Sequence, residues 1–140
     1  MATTIRPELS EKNRYYVERH RYYELKHFCL QYPIWKKEYC MLSGMTIPSN
    51  SSSEIMSRSN VKVDNTSRIA IRKNYYSERM NMIEEIAKKT DNELSTYIFK
   101  AVTEGLSYNN LKTKMDIPCG KDMYYDRYRR FFWLLSKVRD

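Results

Sequence analysis

Glycine and proline are scarce, with 3 Gly and 4 Pro in 140 residues. Tight turns are therefore few, which disfavours an all-β fold, where strands need frequent turn residues. The three glycines, Gly44, Gly105 and Gly120, stand apart, so none builds a phosphate-cradling loop. Histidine is limited to His20 and His27, and cysteine to Cys29, Cys40 and Cys119. An odd number of cysteines at spacings that match no zinc pattern argues for free thiols and against a disulfide framework or a metal site. No stretch approaches the ~18 apolar residues of a membrane helix. The segment after Met1 also lacks the apolar run of a secretory signal. These absences lead us to expect a cytoplasmic location, no membrane partner and no cofactor. Enzymatic chemistry finds no foothold either. Glu84, Glu85 and Glu104 have no second acid at a usable spacing and read as helix-surface charges. Cys119 has no histidine near it in sequence. We therefore expect a protein that is not an enzyme.

What is present is positive charge and tyrosine. Lys and Arg total 25 against 17 Asp and Glu, a formal net charge of +8. Such a balance suits a polyanionic partner, of which nucleic acid is the usual one. The 13 tyrosines combine an apolar ring with a polar tip, which serves both a core with wet edges and a binding surface.

Along the chain, helical signals dominate. Ser10 is placed to cap a first helix that starts near Glu11, runs to Gln31 and ends before Pro33. Tyr15, Tyr22, Leu25, Cys29 and Tyr32 share a face of it, which would pack on the rest of the protein or form a short self-association seam. A second helix is expected from Ile34 to Leu42. Residues 44–66 are rich in Ser and Asn and read as a long mobile loop between residues 1–43, an N-terminal Tyr-rich segment, and residues 67–140, a helical domain. A third helix should start near Thr66 or Ser67, capped by Asp64, Thr66 or Ser67. Tyr76, Met80, Ile83 and Ala87 mark its buried face, and Lys88 and Lys89 its end. Thr90 and Glu93 have capping-box spacing, and Leu94, Tyr97, Ile98, Ala101 and Val102 form the buried face of a fourth helix stopped by Gly105. Ser107 can cap a short fifth helix, and Asp116-Ile117-Pro118-Cys119-Gly120 breaks the pattern before a last helix from Gly120 or Lys121 to Lys137. The fold expected is all-α.

Two amphipathic helices joined by a short turn, the second of them basic, form the pattern of a helix-turn-helix, here at about residues 107–137. On a wheel at 100° per residue, Tyr124, Tyr128, Phe131, Leu134, Leu135 and Val138 fall on one side of the last helix. Asp122, Tyr125, Asp126, Arg129 and Trp133 fall on the other. Arg127 lies awkwardly in the apolar sector and is expected to snorkel or to pair with an acid. Residues near the start of a recognition helix enter the groove most deeply. Lys121, Asp122, Tyr125 and Asp126 are therefore the candidates for base edges, and Arg129 and Arg130 for phosphates. Ser107, Lys112 and Lys114 complete the candidate DNA-binding set. The two aspartates repel phosphate, although a carboxylate can accept a hydrogen bond from cytosine.

Three blocks carry a resemblance to a known family: Asp64-Asn-Thr-Ser-Arg-Ile-Ala, Val102-Thr-Glu-Gly-Leu-Ser-Tyr, and Ile117-Pro-Cys-Gly-Lys-Asp-Met-Tyr-Tyr-Asp-Arg-Tyr-Arg-Arg-Phe-Phe. Residues from about 65 to 138 resemble the RinA/ArpU-type transcriptional regulators of Gram-positive phages and prophages. These are associated with late-gene activation, and their C-terminal unit is similar to region four of bacterial sigma factors. The resemblance implies a positioning helix over Ser107–Met115 and a recognition helix over Lys121–Lys137. One departure is the start Gly120-Lys121-Asp122-Met123, where members of the family often carry Ser or Thr with more basic residues.

The function expected is thus a phage or prophage DNA-binding transcriptional regulator, with double-stranded DNA as partner. Host RNA polymerase, or a second copy bound through the N-terminal helices, would be a further partner. Two alternatives compete. A small-terminase-like packaging protein would also join a helix-turn-helix to an oligomerising region. A helical protein-interaction module would use exposed Tyr15, Tyr22 and Trp133 and no nucleic acid.

Overall fold

A computed structural model describes residues 12–46 and 59–139, and these contain six α-helices and no strand. The helices are α1 (Arg19–Leu30), α2 (Tyr32–Thr46), α3 (Ser59–Thr90), α4 (Ser95–Glu104), α5 (Tyr108–Met115) and α6 (Lys121–Val138). The expected all-α class is observed. None of the described helices is long and apolar enough to cross a membrane. The described residues form two compact units, one of residues 12–31 with 82–139 and one of residues 32–46 with 59–81.

The first helix starts later than the sequence implies. Ser10 and Glu11 lie outside the described residues, and Lys12–Glu18 is turn and extended chain. Asn13 is the cause: its side-chain oxygen accepts the Tyr15 N–H at 2.8 Å and its carbonyl accepts the Tyr16 N–H at 3.0 Å. Such local bonds offer the backbone an alternative to helix. Glu18 then caps α1, its carboxylate accepting the His20 N–H at 2.6 Å. Pro33 sits in the first turn of α2, where a missing N–H costs nothing.

The third helix starts earlier. Residues 59–66 are helical, although they belong to the stretch expected to be a loop. Of that stretch, residues 47–58 lie outside the described residues. Ser59–Thr66 contains neither Gly nor Pro, and extending an existing helix costs far less than nucleating one. Asp64, Thr66 and Ser67 are consequently interior positions and not caps.

In the first unit, α1 and α4 both pack on α6. Leu25, Cys29, Ile83, Ile98, Leu111, Ile117, Phe131, Phe132 and Leu135 have no exposed surface. The tyrosine face of α1 is spent inside this core. Tyr22 is buried, its ring stands edge-on to Phe132 at 5.1 Å, and its hydroxyl shares a 2.7 Å hydrogen bond with that of Tyr128. Tyr15 is buried against Trp133, with ring centroids 5.5 Å apart. The expected self-association seam is therefore closed at Tyr15, Tyr22, Leu25 and Cys29, and Tyr15 and Tyr22 offer no exposed docking surface. Arg21 closes the far end of the same interface, donating to the Ser136 carbonyl at 3.3 Å and to the Arg139 carbonyl.

The link from α3 to α4 also differs from the expected capping box. Thr90 ends α3, its hydroxyl donating back to the Ile86 carbonyl at 2.7 Å. Asp91 instead holds the turn over residues 92–94 that leads into α4, accepting the N–H groups of Glu93 at 2.9 Å and Leu94 at 3.0 Å, and α4 starts after Leu94 without a side-chain cap. The other Asp91 oxygen accepts from Arg127 Nε at 2.8 Å, and Arg127 also pairs with Asp126. The expectation that Arg127 would find an acid is met, by one acid distant in sequence and one adjacent. Burial opposes the Asp91 charge, but the hydrogen bonds from Arg127, Leu94 and Glu93, with the Arg127 charge, outweigh it. The carboxyl is held below the usual range.

A carboxyl with a depressed folded pKa contributes stability above its ordinary pKa, and that contribution is lost as pH falls through the folded value. Asp91→Ala is thus expected to cost about 2–3 kcal/mol at neutral pH, combining two lost turn hydrogen bonds with a broken, mostly covered ion pair. Urea denaturation of both proteins checks this, and the gap between them should close as pH falls below about 4.

The thiols fall into three environments. Cys40 is exposed, Cys119 is half-buried and Cys29 is buried. Burial pushes the Cys29 thiol well up despite the charge of Arg139, and burial with the nearby Asp91 charge pushes the Cys119 thiol up. Iodoacetamide should therefore modify native protein at Cys40 first, and reach Cys29 only on unfolding. Mass spectrometry of digests over time reads this order.

Candidate nucleic-acid interface

The segment from α4 to α6 is built from local chemistry. Gly105 ends α4 with a left-handed φ of 71°, and its N–H bonds the Ala101 carbonyl at 2.9 Å. A side chain would be strained there. Ser107 caps α5 with a reciprocal box, its hydroxyl accepting the Asn110 N–H at 3.2 Å while the Asn110 side chain accepts the Ser107 N–H at 3.1 Å. Asp116 reverses the chain in a left-handed conformation, φ 49° and ψ 54°. Ile117 then plugs the core, its N–H reaching back to the Leu111 carbonyl at 3.4 Å. Tyr108 donates to the Cys119 carbonyl at 2.7 Å and ties the start of α5 to the turn before α6. Both helices pack on α4, and the turn itself ties them to one another.

Their outer residues are the candidate surface. On α5, Lys112 and Lys114 are exposed. Lys112 donates to the Ile117 carbonyl at 3.4 Å and lies 3.7 Å from Asp116, so it also steadies the turn. Ser107 is exposed but is engaged as the cap. On α6, Lys121, Tyr125 and Asp126 are half-exposed and Asp122 is exposed. Asp126 meets the Arg127 guanidinium, which offsets its charge, whereas Asp122 faces solvent in the first turn. Tyr125 packs edge-on to Tyr124 at 4.9 Å and to Tyr128 at 6.1 Å, which restrains its ring.

The two arginines behave differently from a free cationic stripe. Arg130 donates to the Tyr15 hydroxyl at 3.2 Å, with its guanidinium 5.9 Å from the Tyr15 ring. It is committed to holding the N-terminal segment. Arg129 is half-buried, and its Nε makes no hydrogen bond among the described residues. The wheel also misplaces three apolar side chains. Phe132 is fully buried although it was not on the apolar side. Leu134 is half-exposed and Val138 is 49% exposed. Trp133 is covered on two sides, by Tyr15 and by the Lys137 ammonium 4.4 Å above its ring.

Sequence reasoning missed a cavity of about 230 Å³ beside this surface, between α1, the α4–α5 turn and α6. Lys121 and Tyr125 line it, together with Lys26, which no motif singles out. The spacing of Lys121, Tyr125, Tyr128 and Phe132, one stripe of a helix, was the available signal. No metal-binding cluster occurs among the described residues. No family model, curated protein or solved structure matches the chain.

Proposed function

We propose that the chain is a sequence-specific, double-stranded DNA-binding regulator of transcription, of the phage or prophage late-gene kind, acting through a helix-turn-helix at residues 107–137. The observation that carries this is the packing of both α5 and α6 on α4, with Leu111 and Ile117 buried, the Tyr108–Cys119 hydrogen bond tying α5 to the turn, and Lys112 and Lys114 turned outward. A helix that enters a major groove must be held rigidly by its apolar face while cations beside it meet phosphate. In this arrangement α5 positions and α6 reads. Lys112, Lys114, Lys121 and Arg129 take phosphates, and Asp122 and Tyr125 face base edges. Arg127 and Arg130 serve the scaffold, and Asp126 is neutralised by Arg127. RNA polymerase is the partner such an activator would need.

Selection from a random duplex pool tests this. A single enriched motif, bound with steep salt dependence, is the expected outcome. A pool that stays random at low salt rejects it.

A protein-interaction reading is favoured by one observation. Ile34, Met41, Ile71 and Tyr75 of the second unit are large, apolar and 47–69% exposed. A partner that binds undiminished when the α5 lysines are removed would support it.

A further inference from the structure

The cavity beside α6 has a composition suited to a ligand of its own. Three tyrosines with accessible surface line it, Tyr108, Tyr125 and Tyr128, and the buried rings of Tyr22, Tyr124 and Phe132 back them. Of the accessible rings, Tyr125 and Tyr128 meet at 74°. Rings set edge-to-face present both faces and edges to a planar guest, the arrangement aromatic pairs prefer.

The polar groups narrow the choice further. The Tyr22 and Tyr128 hydroxyls are bound to each other, and the Tyr108 hydroxyl is bound to the Cys119 carbonyl. Burial pushes the Tyr124 and Tyr128 hydroxyls well above their ordinary range, so both remain neutral at any physiological pH. Two lysines line the cavity beside Ser107 and Asn109, Lys121 from α6 and Lys26 from α1, whose ammonium lies 5.8 Å from the Tyr23 ring, and no Asp or Glu lines it. An aromatic wall with two ammonium groups and no opposing carboxylate is complementary to a ring that carries a negative charge. The volume of about 230 Å³ equals roughly seven or eight waters at about 30 Å³ each. That accommodates one ring or one fused pair.

We propose that this cavity binds a small aromatic carboxylate, its ring against Tyr108, Tyr125 and Tyr128 and its carboxylate between Lys26 and Lys121. The site stands whether or not the chain binds DNA. If it does bind DNA as proposed above, Lys121 and Tyr125 belong to both surfaces and the ligand controls access to the start of α6.

Two-dimensional amide NMR of the full chain, without DNA, tests the site with three probes. Indole-3-acetate carries ring and charge, indole carries the ring, and cyclohexanecarboxylate carries the charge. Indole-3-acetate is expected to saturate, shifting amides of α1, α6 and the α4–α5 turn, and to bind at least about tenfold more tightly than either control. In Lys26→Gln/Lys121→Gln, both positions being partly exposed, its affinity should fall to that of indole while the spectrum keeps its dispersion. Equal affinity for all three probes, or unchanged affinity in the double variant, would overturn the proposal.

Discussion

Phe132→Ala is expected to lower the free energy of unfolding by about 3–5 kcal/mol, the usual cost of removing a fully buried phenyl ring. Phe132 has no exposed surface and stands between the rings of Tyr22 at 5.1 Å and Tyr128 at 5.0 Å. Its loss leaves a void where α1 meets α6, and the Tyr22–Tyr128 hydrogen bond loses the packing that aligns it. The same truncation at Val138, which is 49% exposed, should stay within about 0.5 kcal/mol. Urea denaturation of both variants checks the contrast. A small effect at Phe132 would mean that α1 is not held on α6 in solution.

The second large effect concerns affinity. Lys112→Ala/Lys114→Ala/Lys121→Ala should weaken duplex binding on the order of 10²-fold near 0.1 M salt, and make the salt slope shallower by about 2.7. Each phosphate contact releases about 0.9 counterion, so slope and affinity must fall together. Arg130→Ala should behave otherwise. Its guanidinium is bound to Tyr15, so it should reduce stability and leave the slope nearly unchanged. Fluorescence anisotropy across a salt series reads both. If Arg130 moved the slope and the lysines did not, the phosphate-facing surface would be the other side of α6.

The part of the fold that was legible in the sequence is the part set by neighbours in sequence. Gly105, Ser107 and the Asp116–Gly120 break fix the ends of α4, α5 and α6 by backbone geometry and capping alone, and all three appear where expected. Competing local bonds were harder to foresee. Thr90–Glu93 and Asp91–Leu94 have the same spacing, and only the structure shows that Asp91 holds the turn before α4, because Thr90 bonds backward into α3. Asn13 likewise delays α1 through a turn that hydrophobic periodicity does not register.

Tertiary effects were not legible. A wheel assumes one apolar side, but α6 is packed on by both α1 and α4, so its buried sector widens to include Phe132. The candidate surface was affected in the same way. Arg130 has the spacing of a phosphate ligand, and Tyr15, distant in sequence, claims it. Lys26 belongs to no motif and becomes notable only because α1 brings it to the cavity that Lys121 also lines.

The most direct measurement is a salt-series titration of a selected duplex and its scrambled counterpart, with wild type and Tyr125→Ala side by side. If α6 reads base edges, wild type prefers the selected duplex. Tyr125→Ala then loses about 1–3 kcal/mol of that preference while keeping its salt slope. Equal binding of both duplexes by wild type, or a Tyr125→Ala variant with its preference intact, would contradict sequence reading by this face.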